Sequence, residues 1–513
     1  MDDRLEAKSR KRVFLPPDFV RAMLAGHSAL GLAFAALIYV VCLSGTLAVF
    51  MYEFQRWEQP DGPVIAGTLA PEAVDAAVKA AYAKALADNA AHDIFILGPG
   101  ELTPRFLVNY HDHDTGVHGN WLADANGQLV TRVRAPWTEF ITALHIHLHL
   151  PRTWGMFLVG LTGVALLSSL VSGLLAHPRI FRDAFALRWG GSKRLQDADL
   201  HNRLGVWGLP FHVAVSLTGA LLGLSTLIVG VLAYAAYDGD SGKAFATLLG
   251  PQATADETAA PVPDVAAMIA HVQREKPGAT PGATPGATFV SVHSQHVAKA
   301  GQVVHLGMRT PGHLAISNAY YFKGDGTPLG DGGLETGSIG QQILGALQPL
   351  HFGWFGGLPI KVIYGIFGLA LTIVTSTGVT VWLARRRDKG RPAPGWERIW
   401  AGVVWGQPLA FGTTAVAALL AGERFILPAY LATVTCALVA CVVPAPAESL
   451  ARILRILSAA TLAGAVVTYG LVWRQSITDP MAWIVNLCIV VCVAILAAST
   501  VGEGRRQNVA VRT

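Results

Sequence analysis

Long apolar runs alternate along this chain with short basic clusters, and two extended polar stretches interrupt them. A helix needs about 20 predominantly apolar residues to cross the core of a bilayer. Eight stretches meet that length: roughly 27–51, 151–176, 205–236, 356–383, 401–421, 424–444, 454–473 and 482–500. The pattern predicts an all-α polytopic membrane protein of about eight transmembrane helices. The polar stretches, 52–143 and 237–348, read differently. Each carries a candidate amphipathic helix (Pro71 to Ala87; Val262 to Arg274) followed by β-like runs such as Arg105 to Tyr110 and Gln302 to Gly307. Turn signals such as Asn126-Gly127 and Gly324-Asp325-Gly326 close these runs. Two small inserted α+β domains are the expected result.

The expected order is a basic tail (1–26), a first span (27–51), the first inserted domain (52–143) and a second span with its histidine-rich approach (144–176). A basic loop (177–204), a third span (205–236), the second inserted domain (237–348) and a fourth span (349–383) follow. A linker (384–400), four further helices (401–500) and a tail (501–513) complete it. The repeated Pro-Gly-Ala-Thr between Pro277 and Thr288 is linker, with no side chain suited to chemistry.

Composition supports this reading. Of 513 residues, 52% are hydrophobic and 14% charged, whereas soluble domains carry about a quarter charged residues. The mean hydropathy is +0.42. The net charge of +5 is no nucleic-acid footprint, because the basic residues cluster beside apolar runs. Clusters before residue 22, from Arg179 to Arg203, from Arg385 to Arg398, at Arg452 and Arg455, and at Arg505 and Arg506 all fall on one side. The positive-inside bias then places both termini in the cytoplasm of a bacterial inner membrane and both polar domains in the periplasm. The first apolar run is too long for a cleaved leader and reads as a retained signal anchor. The five cysteines lie inside apolar runs without CxxC or CxxCH spacing. Neither a disulfide framework nor c-type haem attachment is indicated, and packing is their expected role.

An internal repeat appears when the helices are laid side by side. His27-Ser28-Ala29-Leu30-Gly31 matches His201-Asn202-Arg203-Leu204-Gly205, and a hydroxyl–glycine pair follows 17 residues after each histidine: Ser44-Gly45 and Thr218-Gly219. Leu144-His145 matches Leu350-His351, with Ser172-Gly173 and Thr377-Gly378 near the far ends of those helices, one residue out of step. The chain reads helix–domain–helix twice in the same orientation, as in parallel repeats related by an axis along the membrane normal. The small-residue pairs are expected to let helices approach closely.

This symmetry brings His27 to face His201 on the cytoplasmic side and His145 to face His351 on the periplasmic side. Histidine is expensive inside a membrane unless it serves a site. Two facing imidazoles without a carboxylate or thiolate suit the axial positions of a haem iron better than zinc, which takes four protein ligands or three plus water. Gly26, Gly31, Gly205, Gly353, Gly356 and Gly357 would leave room for a flat macrocycle. His149 and His177 are alternates beside these positions. His147 is a neighbour that could tune or substitute. His212 lies 11 residues beyond His201, where the first repeat has Ile38. It is open as an alternative ligand or as a substrate- or proton-handling residue. In the first polar domain, His111, His113 and His118 are dense enough to bind a metal, while Asp114-Thr115-Gly116 between them also reads as an ordinary turn. His293, His296, His305 and His313 support no specific assignment. No dinucleotide fingerprint, Walker sequence or GxSxG in a soluble context occurs, so electrons for a redox site would come from a quinol or a separate reductase.

Asp199-Leu200-His201-Asn202-Arg203-Leu204-Gly205-Val206-Trp207-Gly208-Leu209-Pro210-Phe211 with Thr218-Gly219, Leu350-His351-Phe352-Gly353-Trp354-Phe355-Gly356-Gly357 and Trp382-Leu383-Ala384-Arg385-Arg386 carry a resemblance. Over about residues 15–390 the chain resembles the PepSY-associated transmembrane family, the PiuB-like iron-regulated membrane proteins. That resemblance implies periplasmic PepSY domains and two b-type haems on His27, His201, His145 and His351. It also implies reduction of a ferric siderophore or other ferric chelate. Asn202 departs from the arginine often found there, and the helices from 401 to 500 lie outside the resemblance; a scaffold or docking role is expected of them. Two other readings compete: a transporter or binding protein for siderophore or iron without redox activity, and a chaperone-like module on an inert anchor.

Overall fold

The computed structural model describes residues 15–510 except 91, 113, 178–183, 186–192, 276–285 and 475, with backbone alone for 193 and 501–510. The first apolar run is not one rod. It forms α1 (Pro17–Ala33) and α2 (Ala35–Ala48), bent by 68° at Phe34. The third run does the same: α7 (Lys193–Trp207) and α8 (Leu209–Gly223) meet at 71° around Gly208, and α9 (Ser225–Ala236) follows after Leu224. Each bend falls seven residues after the repeat's first histidine, at Phe34 and at Gly208. Pro210 accounts for the second bend, since it has no N–H for the helical ladder; nothing in the local sequence accounts for the first. Hydropathy registers length and not direction, so the apolar runs expected as spans 27–51 and 205–236 each begin inside a bent helix pair.

Between the membrane segments the first repeat runs α3 (Met51–Glu58), α4 (Pro71–Ala87), β1 (Asp93–Leu97), β2 (Phe106–His111), β3 (His118–Ala123), β4 (Leu129–Arg132), α5 (Pro136–His147) and α6 (Arg152–Ala176). The second repeat runs α10 (Ser241–Leu249), α11 (Val265–Glu275), β5 (Thr288–Gln295), β6 (Val303–Arg309), β7 (Asn318–Lys323), β8 (Pro328–Asp331), α12 (Ile339–Phe352) and α13 (Gly357–Asp388). The two inserted α+β domains meet edge to edge through β1 and β5. Their strands form one eight-stranded antiparallel sheet in the order β4-β3-β2-β1-β5-β6-β7-β8. At the seam Ile94 faces Ser294 and Phe95 faces His293. Alone, β1 and β5 would each leave an edge of unpaired N–H and C=O groups, and pairing removes both edges. One face of the sheet is covered by α4 and α11. Val74, Val78, Val265, Met268 and Val272 bury alternate strand positions such as Ile94, Ile96, Val108, Val292 and Leu306.

The membrane helices of the two repeats close into a ring. Within each repeat the histidine half of the bent pair packs on that repeat's second helix, α1 on α6 and α7 on α13. The other half crosses over, α2 to α13 and α8 to α6. The remaining helices are α14 (Pro394–Ala421), α15 (Ile426–Ala440), α16 (Ala447–Val472) and α17 (Pro480–Ala510). Among the described residues six helices are long and apolar enough to cross a membrane, or eight if each bent pair is one span.

The last four helices dock on both repeats. On the second, the Trp400 indole of α14 donates to the Ser376 carbonyl of α13 at 3.2 Å and Arg387 pairs with Glu397 at 2.7 Å; the contacts with the first are more extensive. Asp479, before α17, receives a two-pronged contact from Arg56 at 2.6 and 2.7 Å, with Arg105 at 3.8 Å. Trp57 stacks on Tyr469 with centroids 5.0 Å apart, and the Trp137 indole donates to Thr414 at 3.1 Å.

Candidate functional site: two histidine-paired cavities

The structure brings the four repeat-related histidines together in two pairs. The ring centroids of His27 and His201 are 6.2 Å apart, and those of His145 and His351 6.0 Å apart. Each pair lines its own cavity, of about 280 Å³ for His27/His201 and about 380 Å³ for His145/His351. Ile38 and Leu166 line both cavities, so a single layer of side chains forms a wall shared by the two.

All four rings sit in the same kind of seat, which the sequence shows as the hydroxyl–glycine pairs. His145 lies on Gly45, His27 on Gly173, His201 on Gly378 and His351 on Gly219. A Cβ built on these glycines would come within 2.6, 3.0, 3.2 and 2.9 Å of the ring, in that order. Helical side chains lean toward the N-terminus, so a side chain at i+4 covers the carbonyl of residue i. With glycine there, that carbonyl is open. The Nδ1–H groups of His27, His145 and His201 donate to Ser169, Val41 and Val374 at 2.8, 3.0 and 2.9 Å, in each case four residues before the seating glycine. His351 reaches Thr218 Oγ1 at 3.0 Å, with the Val215 main chain as the corresponding fourth residue. A carbonyl only accepts, so the proton is assigned to Nδ1 and the lone pair to Nε2. Histidines held by a main-chain oxygen through one nitrogen are the usual form of metal-ligating imidazoles. The hydroxyl–glycine pairs, expected to bring helices together, here receive histidine rings instead.

Local structure holds the pairs in position. His145 stands in the last turn of α5, whose N-terminus is fixed by Glu58. That carboxylate accepts from the Trp137 and Thr138 N–H groups at 2.8 Å each and from the Thr138 hydroxyl. The helix ends at Leu148, with φ 55°. His351 stands in α12, opened by a Ser338/Gln341 capping box and closed by Gly353 at φ 71°, a left-handed position that suits glycine. His27 and His201 ride on the bent half-helices α1 and α7.

The other candidates are placed elsewhere. His177 lines the His27/His201 cavity. His147 Nδ1 donates to the Leu150 carbonyl at 3.1 Å, and His149 Nε2 meets the Phe140 carbonyl at 2.9 Å; neither lines either of these two cavities. His212 is fully buried against Phe211 and Gly208, and its ring nitrogens make no hydrogen bond of good geometry; the main chain at Gly205 and Phe367 lies nearest. His111 and His118 are cross-strand partners with centroids 6.4 Å apart, while His113 lies outside the described residues. Among the described residues no three His, Cys, Asp or Glu side chains are arranged to hold a metal ion.

Sequence reasoning missed the sheet seam. There Asp93 meets His92 Nδ1 at 2.8 Å, His293 Nε2 at 3.4 Å and the His296 N–H at 3.2 Å. Burial alone would raise the Asp93 carboxyl, but His293 and the His296 N–H hold it well below the usual carboxylate range. Burial likewise pushes the neighbouring His305 down. These residues lie some 200 positions apart, and only the strand pairing unites them.

An uncharacterized protein of Pseudomonas aeruginosa is 30% identical to this chain over 240 residues, which make up 45% of this chain and 60% of that protein. The chain therefore matches only about three fifths of the length of that curated relative. The profile of the family described as PepSY-associated TM region matches residues 24–385, the whole of the duplicated core. With its paired histidines, shared sheet and bent helices lying inside that match, this chain belongs to the PepSY-associated TM region family.

Proposed function

We propose that the protein is a di-haem b oxidoreductase of the bacterial inner membrane that passes electrons to a ferric siderophore or other ferric chelate in the periplasm. The observation that carries this reading is the spacing of the paired rings. Two imidazoles that shared one metal ion, at about the 2 Å usual for metal–imidazole bonds, would have ring centres about 6 Å apart. The observed separations are 6.2 and 6.0 Å. The donor set fits as well: two imidazoles per cavity, each with its Nδ1 engaged and its Nε2 left to face the cavity, and apolar walls with few polar groups.

A haem held by His27 and His201, and another held by His145 and His351, would supply one-electron transfer. The chain supplies the rest. His27 and His201 bind at the level of the basic clusters, which is assigned to the cytoplasm by the positive-inside bias. There a quinol or a separate reductase delivers electrons. His145 and His351 bind at the level of the sheet, on the periplasmic side. Ile38 and Leu166 keep water out of the wall shared by the two cavities while leaving it one side chain thick. Gly45, Gly173, Gly219 and Gly378 fix the ring orientations. One-electron reduction turns Fe(III) into Fe(II), a poorer match for hard oxygen chelators, and so loosens the iron.

Purification of the full chain with a haem supply tests this. Expected is a Soret band that sharpens on reduction by dithionite, at about two haems per chain. Alanine at His145 or His351 removes one of these and alanine at His27 or His201 the other. Dithionite-loaded proteoliposomes then reduce an external ferric chelate. Colourless protein that nevertheless moves ferric chelate across a bilayer would establish the transporter reading in place of this one.

A further inference from the structure

Among the described residues each cavity has one permanently charged side chain in its wall, and in both it is an arginine. Arg152, the first residue of α6, lines the His145/His351 cavity. Arg385, in the last turn of α13, lines the His27/His201 cavity. No aspartate or glutamate among the described residues lines either one. The neighbours of Arg385 are engaged: Arg386 lies over the Trp382 ring at 5.2 Å and Arg387 pairs with Glu397 at 2.7 Å. Among the described residues neither Arg385 nor Arg152 has a carboxylate partner. Both stand at helix ends, where a membrane protein meets the headgroup region.

We infer that Arg152 and Arg385 bind the carboxylate edge of the group held in each cavity, one arginine to each haem. This rests on the function proposed above. A flat apolar body held by two imidazoles accounts for the apolar walls, and a carboxylate at the rim accounts for a lone guanidinium there. Arginine suits this task because its planar fork can meet a carboxylate through two parallel hydrogen bonds.

The repeat adds a second consequence. Aligning His145 with His351, or Ser172-Gly173 with Thr377-Gly378, places Leu358 or Gly357 opposite Arg152. At the His145/His351 cavity the symmetry that duplicates the histidines therefore does not duplicate the cation. Two symmetric imidazoles alone would accept a flat ligand either way round. One arginine on one side of that cavity selects a single orientation.

The test uses the full-length, haem-loaded protein and its Arg152→Gln, Arg152→Lys, Arg385→Gln and Arg385→Lys variants. The readout is the rate of haem transfer to excess apomyoglobin, compared with iron protoporphyrin dimethyl ester, which has no free carboxylates. Each glutamine variant is expected to release one of its two haems about tenfold faster, the size of one lost charge-assisted pair. The lysine variants should release it more slowly than the glutamine variants, and the diester should leave wild type and variants at equal rates. Unchanged release of haem from the glutamine variants overturns this inference while leaving the di-haem reading intact. So does a diester release that accelerates as much as that of haem, since the arginine then acts through the fold. A wild-type protein that takes up no haem overturns the di-haem reading itself.

Discussion

The two histidine levels share one design and differ in how tightly it is executed. At the sheet level the seating glycines leave no room, with a built Cβ 2.6 and 2.9 Å from the rings of His145 and His351. At the opposite level the corresponding distances are 3.0 and 3.2 Å for His27 and His201. The sheet-level rings lie nearly parallel, at 20°, and the others nearly perpendicular, at 71°. The supports differ too. His145 stands on α5, which is tied through Glu58, Trp137 and Asp479 to the C-terminal helices. His27 and His201 stand on bent half-helices, and the added helices reach their level through the Trp400 indole on the Ser376 carbonyl, beside the Thr377-Gly378 seat. A duplicated sequence has thus produced one tightly seated level and one with looser packing, and the added helices reinforce the tight one more extensively.

The largest way to break this comparison is through Asp479. Its side chain is fully buried between Arg56 and Arg105. Asp479→Ala leaves those guanidinium groups without their carboxylate, which costs about 3–5 kcal/mol when a buried pair loses one partner. Denaturant unfolding should show the loss, and the His145/His351 level should be disturbed before the His27/His201 level. Equal disturbance of both levels would remove the idea of an uneven brace.

Next are the seats. Gly45→Ala pushes a methyl group into His145, an overpacking change that costs about 1–3 kcal/mol. Ligand loss should fall in the order Gly45→Ala, Gly219→Ala, Gly173→Ala, Gly378→Ala, read as haem retained per chain. A flat response across the four would show that the levels are equally tight. Glu58→Ala removes a buried acceptor from the start of α5 and leaves donors unpaired, at about 1–3 kcal/mol. Its effect on bound haem is expected at the sheet level alone.

The smallest effect concerns the seam of the sheet. Asp93 has a lowered carboxyl pKa in the fold, so the stability it contributes is present above the ordinary aspartate value of about 3.9 and is lost as pH falls through the lowered value. His92, His293 and the main chain of His296 face it. Hydrogen exchange across β1 and β5 should accelerate on acidification below about pH 4, and Asp93→Asn should abolish that dependence. Both histidine levels should be indifferent to it.

Much of the architecture was legible in the chain because membranes enforce simple rules. Apolar length marks spans, and exact spacings between histidine and hydroxyl–glycine pairs mark a duplication. From the duplication, the partnership of His27 with His201 and of His145 with His351 follows as a matter of symmetry. The glycines nearest the histidines in sequence were poor guides: Gly26 has nothing near it, while Gly45 and Gly173 hold rings more than 90 residues away. Those seats depend on which carbonyl a ring reaches, and that is set by helix crossing and not by local pattern.

The sequence by itself determined the spans, the repeat and the pairing of four histidines, since each is a regularity of spacing. Tertiary structure alone decided the 68° and 71° bends, the merging of eight strands into one sheet, the glycine seats and the docking of the last four helices. Each of these joins residues remote in sequence. Hydropathy and periodicity are local properties, and they carry no information on which distant backbone oxygen, strand edge or carboxylate will complete a contact.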